Sequence, residues 1–129
     1  MPARTSHAEL LGLRDARPVD VTNHWRSDGP LAPVIGVGAN GTMVVDLERD
    51  GPHLLVVGGR GSGKSEQLAS IVLSLAATQA PEHLHLVVWG ESFTHLNRLP
   101  HVASSANRID DATVGMFLDG VERELARRE

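Results

Sequence analysis

The sequence has no cysteine and no tyrosine, and only two Trp and two Phe. Disulfides and thiolate metal sites are therefore excluded, which fits a cytoplasmic setting. With aromatics so scarce, the core must be built from Val, Leu, Ile and Ala. That composition suits a parallel α/β sheet better than a sandwich. No apolar run reaches the ~20 residues that a membrane helix needs, and no signal-peptide core opens the chain. A membrane attachment is thus expected only through a longer parent protein. Positive charge is also in short supply. The net charge is −4, so the surface as a whole is no trap for nucleic acid. Lysine occurs once, at Lys64.

What is present falls into two textures along 129 residues. Residues 1–30 read as a lead-in. A short helix is expected over His7–Leu13, followed by a linker with scattered Pro, Asp, Asn and Gly. Trp25 is the exception, a large ring expected to dock on the domain that follows. Residues 31–129 read as that domain. Val34–Val37 and Thr42–Leu47 are strand-like runs around Asn40-Gly41, a hairpin signal. His53–Val57 is a continuous apolar run between Gly51-Pro52 and Gly58-Gly59, as in a strand buried on both faces.

Lys64–Gln79 is apolar around most of a helical circumference and ends at Ala80-Pro81. Leu84–Trp89 and Val102–Ala106 predict two more strands. Asp110 and Asp111 mark a helix start. The closing helix carries Val114, Leu118, Val121 and Leu125 on one stripe, with Asp119–Arg123 and Glu124–Arg128 as i,i+4 pairs. Strands alternating with helices predict a parallel sheet with flanking helices, preceded by a short β-hairpin.

Residues 58–65 read Gly-Gly-Arg-Gly-Ser-Gly-Lys-Ser, a full match to the phosphate-loop pattern G-x-x-x-x-G-K-[ST]. Each residue type has a physical reason. The glycines allow dihedrals closed to other residues and let oxygens approach the backbone. The exposed N–H groups and the start of the following helix cradle a β-phosphate. Lys64 supplies a point charge for the β- and γ-phosphates, and Ser65 a hydroxyl for Mg²⁺ held with the nucleotide. A chance match in a chain of this length is expected in roughly a few sequences per thousand. The setting between an apolar run and a helix sharpens it further. The candidate cofactor-binding residues are Gly58, Gly59, Arg60, Gly61, Ser62, Gly63, Lys64, Ser65 and Glu66, with ATP and Mg²⁺ as cofactors.

Hydrolysis requires an acid as well. Phosphate-loop ATPases place Asp, often with Glu, at the end of a later buried strand. Here Leu86–Trp89 is followed by Gly90-Glu91, which leaves Glu91 as the candidate catalytic acid and makes binding better supported than turnover. None of the seven histidines forms a metal-type i,i+4 pair on a helix.

Leu31–Arg128 resembles the ATPase domains of the FtsK/SpoIIIE type, and most closely the EccC/EssC ATPases of type VII secretion. The resemblance is carried by PVIGVG (33–38), GPHLLVVGGRGSGKSE (51–66), SLAATQAPEHL (74–84), LNRLPHV (96–102) and ERELARRE (122–129). It implies about the first half of a RecA-like P-loop module from a membrane-anchored motor on the cytoplasmic side. Expected partners are sister ATPase domains and small helical secreted substrates. Active members carry an acidic Walker B residue after the second strand, where this chain reads WGESF (89–93). The resemblance therefore implies ATP binding with weak or no hydrolysis. Two other readings stay open, a nucleotide-independent protein-interaction module and a DNA translocase module, the latter disfavoured by the acidic balance.

Overall fold

The computed structural model describes residues 22, 24, 25, 29–106 and 111–128. The helix expected over His7–Leu13, and Asp110 at the expected helix start, lie outside these residues.

The hairpin forms as strand β1, Val34–Gly38, antiparallel to β2, Gly41–Val44. Its turn sits one residue earlier than the Asn-Gly signal suggests. Gly38 pairs with Gly41, so Ala39 and Asn40 are central, and Gly41 takes the positive φ of 108°. Hairpin pairing continues more loosely past β2, where Val45 and Leu47 donate to the carbonyls of Pro33 and Leu31. The turn at 46–50 closes on itself through the Asp46 amide and the Asp50 carboxylate at 3.0 Å. That bond, with help from Arg49, holds the Asp50 carboxyl below its ordinary range.

Helix α1 spans Lys64–Thr78 and ends as expected before Ala80-Pro81, with Gln79 extended as its cap. Ala69, Ile71, Leu75 and Ala76 are buried, whereas Leu73 is 41% exposed, so the covering is one-sided. Strand β3, Leu86–Trp89, pairs in parallel with β4, Val102–Ala106. Between them Glu91–Arg98 winds as a 3-10 helix, unusually long for that geometry. Leu96, 1% exposed, pins it into a cluster with Ala69 and Val88, against which Val72, Phe93, Leu99 and Val102 pack. Burying a leucine so completely contributes about 2 kcal/mol. Helix α2, Asp111–Arg128, lines a cleft together with β3 and β4, with Val87 and Ala103 on the sheet side and Phe117 and Val121 on the helix side.

Three expectations change. His53–Val57 is not a strand, since it pairs with nothing among the described residues and leaves Leu55 85% and Val57 80% exposed. An apolar run becomes a buried strand only where strands lie on both sides of it, and here the sheet is two-stranded and elsewhere. The stripe of α2 is likewise only partly inward. Phe117 meets Trp89 edge-on at 4.8 Å and Val121 lines the cleft beneath, but Leu118 and Leu125 are more than half exposed. The Asp119–Arg123 pair also differs, while the Arg128 side chain of the Glu124–Arg128 pair lies outside the described residues. Glu124 binds Arg127 at 2.7 Å, and Arg123 donates to the backbone carbonyl of Asp119.

Trp25 docks as expected. Its indole N–H donates to the Ala76 carbonyl at 3.0 Å, and its ring meets His101 edge-on. His101, 2% exposed, donates from Nε2 to the carbonyl of Gln79 at 2.7 Å. Gln79 in turn donates to the carbonyls of Gly29 and Pro30. The lead-in, the tail of α1 and the start of β4 are thus joined at one corner. Sequence patterning gave no hint of Gln79 or His101, because their roles exist only between segments.

Candidate functional site

Gly63 caps α1 in the left-handed conformation, φ 85°, and no side chain bonds to the first-turn amides. Helices usually recruit Ser, Thr, Asp or Asn for that purpose. Here the amides of Lys64, Ser65 and Glu66 are left for something else. The preceding loop behaves the same way. Among the described residues its one internal amide bond is from Ser62 to the Gly59 carbonyl, at 3.3 Å. The amides of Gly59, Arg60, Gly61 and Gly63 have no acceptor among the described residues. Gly61 turns with φ 75°, and at Gly58 a Cβ would collide with Ser62 Oγ. Positive φ calls for glycine at 61 and 63, whereas a side chain at 58 would require the Ser62 hydroxyl to rotate away.

Lys64 folds back over this ring, its Nζ donating to the Gly59 carbonyl at 2.6 Å. The only ammonium of a lysine in the chain is thus held at the loop it would serve. Ser65 is half-buried in the first turn, and Arg60 and Ser62 are exposed on the loop. Glu66 is exposed as well, its carboxylate 3.9 Å from where a Gly63 Cβ would lie. The donor set suits a polyphosphate, with many N–H groups, one ammonium and one hydroxyl suited to Mg²⁺.

Glu91 is placed elsewhere in the fold. It opens the 3-10 helix and is exposed. The sheet beneath it continues from Trp89 through Gly90, whose amide bonds to Ala106, and pairs with β4 rather than with residues 53–57. Two polar residues of α1 bear on the site without having been singled out from sequence. Ser74 Oγ accepts the buried amide of Val34 at 2.9 Å, and Gln67 donates to the Ile35 carbonyl at 2.7 Å. Both fasten the hairpin to the helix that carries the loop. Their signal was available, since they lie seven residues apart on one face of an otherwise apolar helix.

Among the described residues no three His, Asp or Glu side chains converge on a metal-sized site, and no helix is long and apolar enough to cross a membrane.

A glycine loop opening a helix beside a parallel sheet with flanking helices defines the phosphate-loop class of α/β folds. Comparison with known proteins narrows this. The model of the FtsK/SpoIIIE family matches residues 16–129, and the chain belongs to that family. It is 35% identical over 95% of its length to the ESX-4 secretion system protein EccC4 of Mycobacterium tuberculosis, covering 11% of that protein. It is 28% identical over 100% of its length to the type VII secretion system protein EssC of Staphylococcus aureus, covering 9%. Among solved structures, it resembles the cytoplasmic domain of the type VII secretion ATPase EccC from Thermomonospora curvata. The TM-score is 0.81 at 30% identity, over 98% of this chain and 16% of that one. The chain therefore spans about a tenth of the length of these curated relatives.

Proposed function

We propose that this chain is a nucleotide-binding module of a type VII secretion ATPase, holding Mg²⁺-ATP on the loop from Gly58 to Ser65 with little or no turnover of its own. The observation that carries the reading is the set of amides at 59–61 and 63–66 with no acceptor among the described residues, with Lys64 folded over them. Phosphate oxygens would replace the Gly59 carbonyl as the partner of Lys64, while the first-turn amides of α1 receive the remaining charge. Ser65 would share Mg²⁺ with the phosphates. The bound metal neutralises phosphate charge, and the chain's own residues position it. Arg60, Ser62 and Glu66 lie at the rim. Glu91 is the candidate acid for any residual hydrolysis, although its strand does not adjoin the loop's own apolar run.

Calorimetric titration of Mg²⁺-ATP tests the assignment. Lys64→Ala is expected to weaken binding by roughly tenfold or more, about 1.4 kcal/mol and upward. Equal affinity in both proteins would reject the cradle. Glu91→Gln is expected to leave affinity unchanged.

The exposed Leu55, Val57, Met116 and Leu125 favour an additional interaction role, with sister ATPase domains or a small helical secreted substrate as the partner. The setting would be the cytoplasmic side of the membrane. Net charge of −4 argues against DNA as the cargo.

A further inference from the structure

A glutamate at the third position of a helix ordinarily reaches back to the cap and accepts its amide. Glu66 holds that position in α1, and its carboxylate does lie back over Gly63, with Oε2 3.9 Å from where a Cβ on that glycine would stand. Yet it accepts nothing there. Among the described residues Glu66 makes no hydrogen bond and no ion pair. Lys64, two residues earlier, gives its ammonium to the Gly59 carbonyl instead. An exposed, unpartnered carboxylate therefore stands beside first-turn amides that also have no acceptor among the described residues. A bare anion approaching those amides meets a like charge, whereas an anion that carries a divalent cation meets an opposite one. Mg²⁺ is commonly held by phosphates together with one or two carboxylates, and it keeps several of its waters. Glu91 does not fill that place, because it opens the 3-10 helix beyond β3, and β3 pairs with β4.

We propose that Glu66 makes the loop selective for the metal-loaded triphosphate, its carboxylate attracting the Mg²⁺ that arrives with the phosphates and opposing the same nucleotide without metal. This role rests on the phosphate-loop reading and adds to it the charge state of the ligand that the site accepts. A carboxylate in the first turn also complements the helix dipole. That contribution supports α1 whichever form of the nucleotide is bound, so it cannot by itself separate the two forms. Selectivity between them is therefore the signature of Glu66 acting on the ligand.

The test is calorimetry on the full chain with ATP in excess Mg²⁺ and with ATP in excess EDTA. Glu66→Gln keeps the shape of the side chain and removes its charge. It is expected to bind Mg²⁺-ATP roughly threefold more weakly and metal-free ATP roughly threefold more tightly, so that the preference for the metal-loaded form falls about tenfold. Glu66→Asp, which keeps the charge, is expected to retain most of the preference. Glu82→Gln removes an exposed charge beyond the far end of α1 and is expected to change neither affinity. A preference unchanged in Glu66→Gln, or lowered as much by Glu82→Gln, overturns the role. Equal weakening of both forms with a lower melting temperature also overturns it, since Glu66 would then only support the helix. If the native chain binds ATP under neither condition, the loop reading fails and takes the role of Glu66 with it. If the native chain binds ATP and Glu66→Gln shows the same preference, the loop stands and only Glu66 falls.

Discussion

Glycines in the loop are not equivalent, and their differences can be measured. Gly63 has φ 85°, which an L-residue adopts only at a cost, although a Cβ there would meet just the Glu66 carboxylate at an ordinary 3.9 Å. Gly59 has neither a positive φ nor a neighbour within 4 Å. Gly63→Ala is therefore expected to destabilise the chain by about 1 kcal/mol, lowering the melting temperature by roughly 4 °C, and Gly59→Ala by much less. Equal melting temperatures for the two variants would contradict the left-handed cap. This scale was the most legible in the sequence. Gly58, Gly63, Lys64 and Ser65 follow from local backbone chemistry, and local chemistry does not depend on what else is nearby. Trp25 was legible for a related reason, because a lone large ring in a polar lead-in has to be buried against something.

Elements are where sequence and structure part. His53–Val57 has the composition of a central strand, yet its outcome is decided by neighbours, and β3 and β4 pair with each other instead. Its amides have no ladder partner among the described residues. Hydrogen–deuterium exchange is expected to be fast at residues 54–57 and slow across 69–76, where α1 is buried against the sheet. Protection of 54–57 in the dilute chain would mean that a partner strand has been missed. The tail of α1 presents the opposite case. Gln79 and His101 carry no periodic signal, but they close the corner where Gly29, Pro30 and Ala76 meet. Gln79→Leu would leave the two lead-in carbonyls without their side-chain donor. It is expected to cost about 1–3 kcal/mol in chemical unfolding, a loss absent for the exposed Asn97 changed in the same way.

For the whole molecule, the balance between apolar exposure and charge sets its behaviour in solution. Leu55, Val57 and Met116 are each more than three-quarters exposed, and Leu55 and Val57 lie on a segment whose backbone groups have no backbone partner among the described residues. Such a segment offers another chain both apolar side chains and free hydrogen-bonding groups. Opposing this is a net charge of −4, whose reach is limited to about 8 Å at physiological ionic strength. Short-range attraction therefore outweighs the repulsion once two molecules meet. The chain is expected to associate as its concentration rises, its scattering mass climbing above 13.8 kDa, and more readily as salt is added. Leu55→Lys with Val57→Lys places charges on the open segment and is expected to return the scattering mass to that of the monomer. The same replacement at Met116 acts on α2 and should have the smaller effect, because a helix has no open backbone groups to pair. If Met116→Lys suppresses association as fully as the double change at 55 and 57, the apolar face of α2 drives association and the unpaired segment does not.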